Sequence, residues 1–253
     1  MFARERYDTI LNILNREGKV IVKDLSSKFN VTEDCIRKDL RYLENNNFLK
    51  RTYGGAIPIR KTAHYNKISD RRNANVKEKL IIAKKAFDLI EDDETIFLDI
   101  STTNIMLAEF LSKSDKKVTV ITNMIDIISV LNMENNIKVI STGGVLSKDL
   151  NGYACSMTID VISNYKFNKA FIGSCGVDLY DNSVTTFEVE DGNTKKAIMR
   201  NSKVVYLVMD NSKFYFGGTY KFAHFEDIDV IITDKVPSEQ ILGIMKKNDV
   251  DII

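Results

Sequence analysis

The chain of 253 residues is longer than one small domain needs and suits a small domain joined to a medium one. Its 44% hydrophobic and 28% charged residues exclude disorder as the default, and no stretch approaches the ~20 apolar residues of a membrane helix. Three cysteines and two histidines, far apart in sequence, build neither a disulfide framework nor a His/Cys metal site. The net charge of +1 is unevenly shared: residues 1–61 carry thirteen Lys/Arg against eight Asp/Glu, and the remainder carries 23 against 27. A small basic head on a mildly acidic body fits a nucleic-acid-binding module attached to something else. Met1-Phe2-Ala3-Arg4-Glu5-Arg6 lacks an apolar run of signal-peptide length, so the expected compartment is the cytoplasm.

From Arg4 to Asn15 the apolar residues Tyr7, Ile10, Leu11 and Leu14 recur at helical spacing, and Gly18 ends the pattern. A second short helix fits Lys23 to Phe29, and Asn30 marks a turn. Thr32 is a good N-cap for a third helix, with Glu33 and Asp34 in the first turn where carboxylates favour the helix dipole. On a wheel of about 100° per residue, Ile36, Leu40 and Leu43 form a narrow apolar stripe, while Arg37, Arg41, Asp34 and Lys38 occupy the other side. Two short helices, a tight turn and a capped third helix make a helix-turn-helix pattern, and cations facing outward suit a major groove. Phe48 to Gly55 then reads as an apolar-to-basic strand ending in a Gly-Gly turn, a wing whose Lys50 and Arg51 reach neighbouring phosphates.

Residues 58–77 read as a linker: they hold Pro58, a basic pair at Arg71-Arg72 and no strong apolar periodicity. Residues 78–253 are expected to form the second domain. Helical period covers Leu80 to Ile90 and Met106 to Leu111. Strand-like runs fall at 95–98, 118–121, 137–140, 170–172, 204–208 and 230–232. Alternation of this kind predicts a mostly parallel α/β sheet with its ligand site outside the carboxyl ends of the strands. Polar residues and glycines collect there: Asp99, Ser101, Thr102 and Thr103; Thr122 and Asn123; Gly143 and Gly144; Gly173 and Gly176; Asp210 and Lys213. A turn opening a helix, as at Ser101-Thr102-Thr103, suits a phosphate, and Lys213 supplies a countercharge.

These residues carry a resemblance. Thr32-Glu-Asp-Cys-Ile-Arg-Lys-Asp-Leu40 with Leu49-Lys-Arg-Thr-Tyr-Gly-Gly-Ala56 resembles the helix and wing of the DeoR family of bacterial regulators. Lys38 stands where that family has a second Arg, and Tyr53 where it has His. The body is similar to the family's sensor domain through Asp99-x-Ser-Thr-Thr, Thr122-Asn123, Gly143-Gly144, Gly173-x-x-Gly-x-Asp178 and Asp210-x-Ser-Lys-Phe214. The resemblance implies a Rossmann-like α/β sensor domain of the ribose-5-phosphate isomerase type behind a winged helix-turn-helix. It also implies repression of carbohydrate-use genes, relieved by a phosphorylated sugar. The implied DNA-binding residues are Thr32, Asp34, Arg37, Lys38, Arg41, Lys50, Arg51 and Tyr53. The implied effector residues are the strand-end set above with Asp178. Its expected partners are double-stranded operator DNA, the phosphorylated effector and further copies of the chain as homodimer or homotetramer, with no membrane, metal or cofactor. The rival reading is a sugar-phosphate isomerase with an accessory head, in which Asp178, Glu190 or Asp191 acts as general base and Lys213 holds substrate.

Overall fold

The computed structural model describes residues 2–46, 48–58, 61–62, 67–132, 136–179 and 181–253. They divide into two compact units. One holds the residues up to Lys61 together with Ser238–Gly243, the other Thr62–Pro237 together with Ile244–Ile253.

The first unit runs α1 (Ala3–Glu17), β1 (Val20–Ile21), α2 (Val22–Phe29), α3 (Glu33–Asn45), β2 (Leu49–Thr52) and β3 (Gly55–Pro58). Local chemistry sets the boundaries. Gly18 is left-handed at φ 70 and returns its N–H to Leu14; Asn30, at φ 52, does the same for α2. The Thr32 hydroxyl accepts from the Cys35 N–H at 3.2 Å and caps α3. β2 and β3 form the expected wing, turning at Tyr53-Gly54, and β1 adds to the other side of β3. Ile36, Leu40 and Leu43 bury the stripe of α3 against Ile10, Leu14, Leu25 and Leu49.

In chain order the rest is β4 (Lys61–Thr62), α4 (Ile68–Arg72), α5 (Val76–Asp88), β5 (Thr95–Leu98), α6 (Thr102–Ser112), β6 (Val118–Thr122), α7 (Ile125–Leu131) and β7 (Ile137–Ser141). There follow β8 (Leu146–Ser147), β9 (Gly152–Tyr153), α8 (Ser156–Ser163), β10 (Phe167–Gly173), β11 (Gly176–Asp178), β12 (Ser183–Thr186), α9 (Val189–Arg200) and β13 (Ser202–Val208). The chain ends with a 3-10 turn (Asn211–Tyr215), β14 (Phe216–Gly217), β15 (Tyr220–His224), a second 3-10 turn (Phe225–Asp227), β16 (Val230–Ile232), α10 (Glu239–Lys247) and β17 (Asp251–Ile252).

Seven of these strands make a wholly parallel sheet in the order β17-β16-β13-β10-β5-β6-β7. Their near-continuous Val/Ile/Leu/Phe content is what burial on both faces requires. Ile96, Leu98, Val120 and Phe171 are fully buried among helix residues such as Ile82, Leu107 and Leu111. The chain builds outward from β5 through β6 and β7, then crosses back to place β10 on the other side of β5. The order therefore reverses between β5 and β10, where open α/β sheets leave a crevice at the carboxyl ends. A small antiparallel sheet, β11-β12-β15, stands beside this edge.

Two features differ from the sequence reading. Within the stretch read as a linker, α4 buries Ile68 in the core of the second unit, and α5 begins at Val76. Residues 59–60 and 63–66 of that stretch lie outside the described residues. The Gly176–Asp178 segment, read as loop, is a strand paired to Ser183–Thr186.

Candidate functional site

On the first unit, Thr32, Asp34, Arg37, Lys38, Arg41, Lys50, Arg51 and Tyr53 are all exposed. Tyr53, at the tip of the wing, is fully so. Arg37 Nη2 lies 2.6 Å from Glu33 Oε2 and Nη1 lies 2.7 Å from Asp34 Oδ1, so its charge is held at the start of α3. Arg51 pairs with Glu44 at 2.8 Å and fixes the wing to α3. The sequence reading missed what supports this face. Asp39, beside the apolar stripe of α3, is buried and takes Arg6 of α1 in two hydrogen bonds of 2.8 and 3.1 Å.

On the second unit a cleft of about 200 Å³ opens where β5 and β10 part. Ser101 and Thr102 line it from the end of β5, Gly173, Ser174 and Cys175 from the end of β10, and Asp210, Ser212 and Lys213 from the end of β13. The Ser101 hydroxyl accepts from the Thr103 N–H at 3.2 Å and caps α6. The first-turn N–H groups of that helix lack intrahelical partners and carry its positive pole. Gly173 has to be glycine: a Cβ there would lie 2.8 Å from the Ser101 Cβ. The other walls lie outside the expected effector set: Arg71 from α4, Lys79 from α5, Thr186 from β12, and Asp191 and Lys195 from α9, of which the rival reading had offered Asp191 as a base.

A buried ionic network underlies the cleft. Asp99 Oδ2 accepts from the Gly173 N–H at 3.0 Å and from the Lys195 ammonium. Lys195 also meets Asp191 Oδ1 at 3.0 Å, and Asp191 Oδ2 accepts from the Thr186 hydroxyl at 2.6 Å. Burial pushes the Asp99 carboxyl up to about 6, against the pull of Lys195. Burial works to discharge Lys195, but Asp191 and Asp99 outweigh it and hold the ammonium above the usual lysine range. Lys213 is different. Its Nζ donates to the Ser174 carbonyl at 2.6 Å, and burial draws it below the usual range.

Of the expected effector set, Ser101, Thr102, Gly173, Asp210 and Lys213 line the cleft, and Asp99 lies beneath it in the ionic network. The others hold backbone. Thr103 is the second residue of α6. Thr122 donates to the Leu98 carbonyl, Asn123 to that of Tyr153, and Gly143 accepts from Thr158. Gly144 lies against Thr158 and Cys155, Gly176 against the Phe216 carbonyl, and Asp178 pairs in β11. None of these lines the cleft. Among the described residues no His/Cys/Asp/Glu cluster suits a metal ion, and no helix is long and apolar enough to cross a membrane.

A winged helix-turn-helix with an outward cationic face, and an α/β unit with a polar ligand cleft, define the class: a DNA-binding transcription regulator with its own sensor. Residues 6–62 match the DeoR-like helix-turn-helix domain and residues 74–235 the DeoR C terminal sensor domain. Over 253 residues the chain is 31% identical to the HTH-type transcriptional repressor GlcR of Bacillus subtilis (strain 168), with 100% of this chain and 96% of that one covered. It is 27% identical over 252 residues to the glycerol-3-phosphate regulon repressor of Escherichia coli (strain K12), covering 100% and 99%. Among solved structures, ribose 5-phosphate isomerase A of Methanocaldococcus jannaschii gives a TM-score of 0.42 at 17% identity over 55% of each chain. The chain belongs to the DeoR family of transcription regulators, and the isomerase reading gives way to it.

Proposed function

We propose that this regulator represses carbohydrate-use genes and is released from its operator by a phosphorylated sugar held in the cleft of the second unit. Thr32, Asp34, Arg37, Lys38, Arg41, Lys50, Arg51 and Tyr53 form the DNA face, with α3 in the major groove and the wing on flanking phosphates. Helix-turn-helix proteins bind repeated half-sites as dimers, so the working species is a homodimer or homotetramer. One observation carries the effector reading. At the reversal between β5 and β10, the N-terminus of α6 and the ammonium of Lys213 line the same cleft, and no carboxylate lies within ion-pair distance of Lys213 among the described residues. That is a phosphate's preferred surrounding. A relative named for the glycerol-3-phosphate regulon supports the ligand class.

The test is a titration of sugar phosphates into the protein–operator complex. At least one should weaken operator binding by about 5- to 150-fold, the span of a typical coupling free energy. A panel of pentose, hexose and triose phosphates that leaves operator affinity unchanged would refute the reading.

A further inference from the structure

An acid stands among the cations of the DNA face, and its geometry gives it a use. β2 is an edge strand of the sheet β1-β3-β2, and Arg51 pairs with Ala56 of β3. An edge leaves backbone N–H and C=O groups with no further strand to meet. The Arg51 N–H instead donates to Glu44 Oε1 at 2.9 Å, and the Arg51 Nε donates to Glu44 Oε2 at 2.8 Å. Both oxygens of one carboxylate on α3 are thus taken by one residue of the wing. The root of the wing is held separately, by buried Leu43 and Leu49 and by the Phe48 N–H on the Leu43 carbonyl at 2.9 Å. The Arg51 N–H first, then its side chain and the charge of Arg41, hold the Glu44 carboxyl below the usual carboxylate range against a smaller effect of burial. Glu44 is therefore an anion where the head meets DNA.

Arg37 and Arg51 differ in which nitrogens their acids occupy. Arg37 gives both Nη groups to Glu33 and Asp34 and has to release them to touch DNA. Arg51 gives Glu44 its Nε, and neither Nη has a hydrogen-bond partner among the described residues. The Nη fork is the part of a guanidinium that takes a phosphate in two parallel hydrogen bonds. A long side chain ordered before binding also loses less rotamer freedom when it binds. We propose that Glu44 is a positioning residue for operator binding: it stays on Arg51 in the complex, fixes the wing against α3 and aims the Arg51 fork at a phosphate. The proposal rests on the DNA face of the preceding subsection. It gives an effect whose sign charge alone does not. A carboxylate beside phosphates repels every duplex, so its removal would tighten binding if repulsion were its whole effect. A carboxylate that merely competes with DNA for Arg51 would give the same sign. Acting through Arg51 in the bound state, the same removal weakens binding.

The test is fluorescence anisotropy of the full chain on an operator duplex. Glu44→Gln keeps the shape of the side chain and one acceptor oxygen, but its amide nitrogen turns a donor toward a donor of Arg51. It should bind operator about 2- to 10-fold more weakly than wild type, the range of one lost hydrogen bond. In an Arg51→Ala background the same change should tighten binding, because only repulsion remains. Glu44→Asp keeps the charge but is one methylene shorter and gives up the two-point grip, so it too should weaken binding. Glu44 belongs to no core cluster, so Glu44→Gln should melt close to wild type. Tighter operator binding by Glu44→Gln in the wild-type background would overturn the proposal. An equal loss with and without Arg51 would overturn it as well, since Glu44 would then act through the fold of the head. Unchanged operator affinity in Arg37→Ala, Lys50→Ala and Arg51→Ala alike would remove the DNA face itself, a failure distinct from these two.

Discussion

Replacing Arg37 by Ala separates base reading from general attraction to DNA. In the free protein the Arg37 guanidinium is half exposed and bridges Glu33 at 2.6 Å and Asp34 at 2.7 Å. To read a base it exchanges those partners. Exposed pairs of this kind contribute ~0.2–1 kcal/mol each, and i,i+4 helix pairs about 0.3–0.5 kcal/mol. A bidentate contact to a guanine edge contributes ~1–3 kcal/mol. The exchange therefore favours the operator by about 1–2 kcal/mol, and Arg37→Ala should weaken operator binding by about 5- to 30-fold. The substitution also strips Glu33 and Asp34 of their counterion on the DNA face, which weakens every duplex alike. The assay is fluorescence anisotropy on operator and scrambled duplexes over a range of salt. Arg37→Ala should lose more on the operator than on the scramble. Lys50→Ala, which removes the phosphate contact proposed for the wing, should lose equally on both and lower the salt slope by about one. Equal loss on both duplexes in Arg37→Ala would reduce Arg37 to a phosphate contact. Unchanged operator affinity would take it out of the interface.

Two further outcomes follow from buried charge. Arg6→Met leaves Asp39 buried and unpaired, so the first unit should lose about 3–5 kcal/mol of stability and operator binding with it; denaturant melts that coincide with wild type would show the pair to be dispensable. Lys79 stands at about 8 in the folded chain, lowered from 10.5 first by burial and then by Lys213. The unfolded chain therefore holds more protons across that interval, and the contribution of Lys79 to stability rises as pH climbs from about 8 to 10.5. Denaturant melts between about pH 8 and 10.5 should therefore show wild type gaining stability relative to Lys79→Met. Superimposable pH profiles for the two proteins would disprove the link.

What could be read from sequence was whatever local periodicity or capping encodes. The stripe of Ile36, Leu40 and Leu43, the Thr32 cap and the wing turn are short-range features, and they fix α3 and its outward cations. The apolar runs at 95–98, 118–121 and 137–140 likewise predict buried parallel strands. What was hidden depends on pairing across the chain. Arg6 and Asp39 are 33 residues apart, and neither position alone announces a partner. β12, Ser183–Thr186, is short and hydroxyl-rich, and it reads as a turn although all four residues are buried in the small antiparallel sheet. Gly192 looks like a flaw inside a helix. Its reason is Tyr220 of β15, whose ring carbon would stand 2.4 Å from any Cβ there. Arg71 escaped notice because the linker stretch has no apolar period, and Lys79, at the start of the next domain, carries no local sign that it faces the strand ends at Ser101, Gly173 and Lys213.

The three acids that the isomerase reading offers as general base stand outside the cleft or are already paired in it. Isomerising a sugar phosphate needs a base whose lone pair faces the reacting C–H bond. Glu190 is exposed and Asp178 sits in β11, and neither lines the cleft. Asp191 does line it, but Oδ1 holds Lys195 at 3.0 Å and Oδ2 accepts from Thr186 at 2.6 Å. Asp99 does not line the cleft, and its Oδ2 accepts from both Lys195 and the Gly173 N–H. The network instead ties the end of β5, the end of β10, the tip of β12 and the first turns of α9 into one buried cluster. A ligand that binds between such walls stabilises their arrangement by mass action. A difference of ~1–3 kcal/mol in that stabilisation between operator-bound and free protein is enough to set a regulatory response. That demand is met by positioning alone, and Asp99 and Asp191 are already engaged in it.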